Sequence, residues 1–207
     1  MNSKLKKPEI VVFAGPNGSG KSTITSLLRP TNMRYINADE IKKVLDCDNL
    51  KAAQIAEKQR EECLEQNENF CFETVLSTDR NLKLLQRAKK KGYFIRCYYV
   101  LTADPVINIT RVATRVATGG HDVPKEKIIS RYYRALKLVP DLVATCDVCH
   151  IYDNSTDKPY RIFKKRKDLC WYCTEPHWWL KKDIVRLTGI RNPEKKDLNT
   201  IHETSGK

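Results

Sequence analysis

No run of apolar residues in this 207-residue chain approaches the ~20 needed to cross a bilayer as a helix, which excludes a helical membrane protein. No internal repeat is present, nor any low-complexity segment ahead of a polar end. The tetrapeptide Asn-Lys-x-Asp, which reads guanine in nucleotide switches, is missing, and a GTPase is disfavoured accordingly. Acidic side chains are few beside basic ones, 25 Asp and Glu against 38 Lys and Arg, leaving a net charge of +13. That excess favours anionic partners such as nucleotides, phosphosugars or nucleic acid, without choosing among them. With 41% hydrophobic and 30% charged residues the chain is globular rather than disordered, and its length suits one α/β domain.

What is present begins with Gly15-Pro16-Asn17-Gly18-Ser19-Gly20-Lys21-Ser22, followed by Thr23. It satisfies Gly-x-x-x-x-Gly-Lys-[Ser/Thr], the phosphate-binding loop. The apolar run Ile10–Ala14 before it predicts a buried parallel strand, and residues 23–28 after it predict a helix stopped ahead of Pro30. Strand, loop and helix set backbone N–H groups around one anion. Lys21 then reaches the β- and γ-phosphates and the Ser22 hydroxyl completes a Mg²⁺ shell, so the chain is expected to bind ATP with Mg²⁺. The apolar run is too short for a secretory leader after the basic opening Met1–Lys7, and a cytoplasmic protein with reduced thiols is expected.

Further strands are predicted at residues 33–37, 69–74, 93–101 and 148–152, alternating with helices at 39–46, 50–66, 79–91, 104–117 and after Pro124. The expected fold is a P-loop α/β domain, a five-stranded, mostly parallel sheet with helices on both faces. Its core spans 1–156, with a lid at about 111–138. A β-hairpin (159–165 with 169–173) and a helix (178–187) fill 157–191, and 192–207 is a polar, frayed tail. Cys63, Cys71 and Cys97 fall in apolar periodic segments as small core residues. Cys146-x-x-Cys149 and Cys170-x-x-Cys173 have zinc-like spacing, but on strands such positions point to opposite faces, and core or surface thiols are the preferred reading.

Candidate chemistry sits at the carboxyl edge of the sheet, where open α/β folds bind ligands. Asp39, directly after the second strand, is placed to act as general base or, with Asn37, to cap a helix. Glu73, at the end of the third strand and followed by Thr74, Ser77 and Thr78, can hold a polar acceptor or cap the next helix. Arg111 and Arg115 share a helix face, and Arg131 and Arg134 lie beyond the Gly119-Gly120 hinge; together they suggest a lid closing on phosphates.

These motifs carry a resemblance. The phosphate loop, Asn37–Ile41, Phe72–Thr78, Arg111–Pro124 with its Gly-Gly-His, Arg131–Arg134 and Tyr152–Ser155 occur in the order found in zeta-toxin P-loop kinases, and the chain resembles that family over roughly residues 8–156. Such kinases phosphorylate the 3′-hydroxyl of the sugar in UDP-N-acetylglucosamine. The resemblance implies Asp39 as base, Lys21 and Ser22 on ATP and Mg²⁺, Glu73 on the sugar nucleotide and Arg115 on the transferring phosphoryl group. It puts His121 where the toxins carry a second phosphate-binding arginine, and Asn154 near the adenine. An antitoxin protein is an implied partner. Thr74-Val75-Leu76-Ser77 departs from the toxins' Gly-Thr-Gly-Arg, which opens the question of the acceptor. A kinase acting on a nucleic-acid end, and a nucleotide-gated binding protein, are the alternative readings.

Overall fold

The computed structural model describes residues 7–120, 122–175 and 177–199. In chain order the elements are β1 (Glu9–Ala14), α1 (Lys21–Leu28), β2 (Arg34–Ile36), α2 (Ala38–Leu45), α3 (Asn49–Glu65), β3 (Phe70–Thr74) and α4 (Arg80–Lys90). There follow β4 (Phe94–Leu101), α5 (Pro105–Ala117), α6 (Lys125–Thr145), β5 (Val148–Asp153), β6 (Tyr160–Arg166), β7 (Leu169–Tyr172), α7 (Lys181–Thr188) and β8 (Glu194–Lys195).

One sheet runs through the molecule in the order β2-β3-β1-β4-β5-β6-β7-β8. The first five strands pair in parallel, as alternating strands and helices require. Their central members are apolar on both sides: Ile10 through Ala14 are all buried. The expected five-stranded sheet is therefore too small. β6 and β7 form the anticipated hairpin, but β6 adds antiparallel to β5, and β8 pairs in parallel with β7. The stretch after Asn192 is likewise not frayed as far as it is described. Leu198 is buried, and the Asn199 side chain accepts the Arg161 backbone N–H at 2.6 Å.

Helix starts follow local chemistry. Asn37 caps α2 through the Asp39 N–H at 2.8 Å, Asp48 caps α3, and Asp104 caps α5 ahead of Pro105 at its first turn. One large core lies under α3, α4, α6 and α7, joining Ile10, Val12, Phe70, Phe72, Tyr99, Leu142, Phe163 and Ile184. A smaller cluster on the opposite face joins Val11, Phe13, Cys71 and Val100 to Ile24 of α1. A third, of Val112, Val123 and Ile128, ties α5 to the start of α6.

The cysteine pairs are not both on strands. α6 runs through Pro140 to Thr145, so Cys146 is its C-cap, and the turn into β5 brings it beside Cys149 and Cys97. Burial pushes the Cys97 and Cys146 thiols up, and all eight cysteines are free. Among the described residues no helix is long and apolar enough to cross a membrane.

Candidate active site

At the carboxyl ends of the parallel strands a cleft of about 430 Å³ opens between the phosphate loop, the start of α2, the end of β3 and the cleft face of α5. It is lined by Asn17, Gly18, Gly20, Lys21, Ser22 and Thr23 from the loop and α1. Asn37, Asp39, Glu73, Thr74, Arg111 and Arg115 complete most of the wall. Residues drawn from four separated stretches of sequence thus face one space.

The loop's shape depends on glycine at two points. At Gly15 φ is +143°, and a Cβ would lie 2.0 Å from the Val100 carbonyl oxygen; at Gly18 φ is +75°, and a Cβ would lie 2.5 Å from the Asn108 oxygen. Neither position tolerates a side chain. The loop is also held from outside. The buried Asn108 side chain donates to the Asn17 carbonyl at 2.6 Å and accepts from the Thr102 hydroxyl. Asn154 donates to the Ser19 carbonyl at 2.9 Å, and Arg131 reaches the Asn17 side chain at 3.4 Å.

Lys21 stands at the first turn of α1, its ammonium donating to the Pro16 carbonyl at 2.9 Å. Burial lowers its pKa to about 8. The Glu73 carboxylate pulls it up, the Arg115 guanidinium pushes it down, and Asp39 again pulls it up. That ranking locates the two carboxylates and the arginine within electrostatic reach of one ammonium. A triphosphate entering there meets an ammonium already desolvated, where its field is strongest.

Helix capping falls to Asn37, which leaves the Asp39 carboxylate at the cleft edge. Glu73 does not cap a helix either: its carboxylate accepts the Tyr35 hydroxyl at 3.0 Å, and that hydroxyl accepts from the Asn37 side chain at 2.6 Å. Burial raises the Tyr35 pKa well above its ordinary value, so it stays a donor; Arg29 lies over its ring at 4.4 Å. Thr74 lines the cleft, but its hydroxyl oxygen accepts from the Leu76 N–H and the Asn81 side chain.

Arg111 lines the cleft while donating to the Asn154 carbonyl at 2.6 Å and to that of Thr156. Ser77 and Arg134 are not among the lining residues; Arg134 bonds back to its own helix at the Ser130 carbonyl, because α6 turns that position outward. His121 lies outside the described residues. Gly119 and Gly120 close α5 by donating to the Val116 and Arg115 carbonyls. Sequence reasoning passed over Tyr35 and Asn108. Asn108 did leave a signal, a polar residue four positions from Val112 on the apolar stripe of α5. Tyr35 left none.

The Ser22 hydroxyl, with Asp39 and Glu73 across the cleft, suits an ion that shares its shell with nucleotide phosphates. Among the described residues no cluster of three or more His, Cys, Asp or Glu could hold a metal by itself.

Comparison with known proteins gives a consistent placement. An uncharacterized protein of Haemophilus influenzae is 27% identical over 127 residues, covering 59% of this chain and 91% of its own. A structure from the PezAT chromosomal toxin-antitoxin system of Streptococcus pneumoniae superposes with a TM-score of 0.55 at 18% identity, over 77% of this chain and 72% of that one. AvrRxo1-ORF1:-ORF2 with ATP gives a TM-score of 0.62 at 14% identity, over 78% of this chain and 59% of that one. The two structural likenesses, at low identity, show a shared fold. Residues 1–167 match the model of the zeta toxin family, and the chain belongs to that family.

Proposed function

We propose that this protein is an ATP- and Mg²⁺-dependent kinase that phosphorylates a hydroxyl of a sugar nucleotide such as UDP-N-acetylglucosamine. The observation that carries the reading is the convergence of Asp39 and Glu73 on the cleft that holds Lys21 and Arg115. A nucleotide-gated switch needs the phosphate loop but has no use for two carboxylates opposite it.

In this reading the acceptor hydroxyl donates to Asp39, which takes its proton as the oxygen attacks the γ-phosphorus. The bond to the β-phosphate oxygen breaks and ADP leaves. Lys21 and Arg115 follow the charge on the migrating phosphoryl group, and Arg111 with Asn154 borders the nucleoside side. Ser22 and the phosphates would hold Mg²⁺, which would supply charge neutralisation. Glu73, oriented by Tyr35, accepts a hydrogen bond from the acceptor. Closure of α5 and the start of α6, with Arg131 on the phosphate loop, would exclude water and limit hydrolysis. An antitoxin protein as partner is part of the same reading.

The test is ADP release with and without a panel of acceptors, UDP-N-acetylglucosamine included, beside Asp39→Asn. Acceptor-dependent turnover that falls by about 10²- to 10⁴-fold in the variant is expected. Slow hydrolysis indifferent to every acceptor and to Asp39 would sink the base assignment.

A further inference from the structure

The sheet's two faces are not covered alike. Under α6 and α7 the C-terminal strands bury Ile162, Phe163 and Tyr172 in the main core. On the other face the buried cluster beneath α1 reaches only as far as Tyr98 on β4. From there one cross-strand rung continues outward as Tyr98, His150, Lys164, Trp171 and Glu194. Residues of one rung project from the same face.

The rings on this face are arranged. Tyr98 stacks on Phe13 at 5.3 Å and 14° on its inner side, and on His150 at 5.2 Å and 11° on its outer side. Lys164 and Lys196 each hold an ammonium 5.7 Å from the centre of the Trp171 ring. The irregularity between Ile151 and Tyr152 puts Arg161 opposite Tyr152. Tyr98, Tyr152, Arg161, Lys164 and Trp171 are half-buried, and Lys196 is exposed. Two acids stand nearby, Glu9, paired with Arg96 at 2.8 Å, and Glu194. Burial and the crowding of Arg161, Lys196 and Arg166 push the Lys164 pKa down, so an incoming anion relieves a repulsion already built into the fold.

We propose that this face, on which no helix packs among the described residues, is a docking surface for single-stranded RNA, with bases stacked on Tyr152 and Trp171 and phosphates along Arg161, Lys164 and Lys196. Flat rings interleaved with cations fit unpaired bases on a charged backbone; a duplex keeps its base faces stacked inside. An acidic protein surface would answer the cations and leave the rings without flat partners. Ribose is favoured over deoxyribose by the Tyr152 phenol, which the register sets beside Arg161 on this face, where a 2′-hydroxyl can meet it. None of these residues lines the cleft, so docking and chemistry separate experimentally.

The experiment is fluorescence anisotropy of the full chain with a short labelled RNA of mixed sequence, its DNA counterpart and an RNA duplex, across a salt series. RNA is expected to bind tightest. Trp171→Ala should weaken its Kd by about 5- to 100-fold, the loss of one base stack, while Trp171→Phe retains most of it. Lys164→Ala should flatten the slope of log Kd against log salt by about 0.7. ATP consumption by Trp171→Ala should be unchanged; circular dichroism checks its fold, and Lys196→Glu replaces it if it misfolds. Equal affinity for DNA or duplex overturns the assignment. So does a loss confined to the lysine variants with Trp171→Ala unchanged, which would mean charge adhesion alone, and so does no loss in any variant.

Discussion

Replacing Asp153 by asparagine probes the joint between the parallel core and its C-terminal extension. Asp153 ends β5 and is 1% exposed. One carboxylate oxygen accepts both the Trp178 indole, at 2.8 Å, and the Trp179 indole. The other accepts the Ser155 N–H, at 2.6 Å, and the Ser155 hydroxyl. Every neighbour is a donor, and only the hydroxyl can turn to become an acceptor. An asparagine must present its NH₂ to one side and confront either two indole N–H groups or the Ser155 backbone. Two hydrogen bonds to a charged acceptor contribute about 1.5–3 kcal/mol each. Trp178 is 42% exposed and can turn to water, which offsets part of the loss. The net destabilisation expected is about 3 kcal/mol, and at roughly 2–4 °C per kcal/mol for a chain of this size Tm falls by about 6–12 °C.

Thermal unfolding followed by circular dichroism measures this, with tryptophan fluorescence reporting the two indoles. Trp178→Phe and Trp179→Phe should each cost about 1 kcal/mol, and either combined with Asp153→Asn should add little. The adjacent Asn154 holds the Ser19 carbonyl, so ATP affinity should weaken several-fold in Asp153→Asn as well. A Tm within about 1 °C of wild type would refute the bond inventory. A full Tm loss with unchanged ATP affinity would refute the coupling to the loop.

Three further outcomes are expected. The folded pKa of Lys21, about 8, lies below the unfolded value of 10.5, so between those pH values the unfolded chain binds the extra proton. Nucleotide-free stability should therefore rise with pH across that window, by at most about 3 kcal/mol, and the rise should vanish from Tm against pH in Lys21→Met. Gly18→Ala places a Cβ 2.5 Å from the Asn108 oxygen at φ +75°; ATP binding by calorimetry should be lost, with a destabilisation of about 2 kcal/mol or more. Tyr35→Phe removes the hydroxyl that orients Glu73, and steady-state kinetics should show the acceptor KM rising about 5- to 10-fold with kcat little changed.

The parallel core was legible because each of its signals is local. A phosphate loop, a β-branched run before it and capping Asn or Asp residues before helices can be read within a few residues of one another. The extension's hairpin and helix were legible too, but the way they join the core was not, for three particular reasons. In β6 the irregularity opposite Ile151 and Tyr152 puts Ile162 and Phe163 in the same core, which breaks the alternation that would mark a one-sided strand. β8 is two charged residues, Glu194 and Lys195, held by backbone pairing and by the Lys196 N–H on the Tyr172 carbonyl at 2.8 Å, so no hydrophobic pattern announces it. Asp153 and its tryptophans lie 25 and 26 residues apart, and nothing in either stretch names the other. In the cleft the residue types and their strand ends were readable, while the Tyr35–Glu73 bond depends on how β2 and β3 come together.

The extension's layout follows from what each of its faces has to meet. Its inner face must match α6 and α7, and it supplies Ile162, Phe163 and Tyr172 for that purpose. Its attachment to the core is polar: Lys165 reaches the Val143 carbonyl, Arg161 meets Asn199 and Leu198, and Asp153 gathers the two indoles. A strand pair needed only for stability would gain most from an outer face of mixed charge. This one instead groups Arg161, Lys164, Arg166 and Lys196 around aromatic rings, against their mutual repulsion. The arrangement costs stability in the free protein and returns it when an anion with flat groups lies across the sheet. That is why the same Asp153 joint bears on both the phosphate loop and the docking face: loosening it should weaken ATP and RNA binding together, whereas Trp171→Ala should touch only the second.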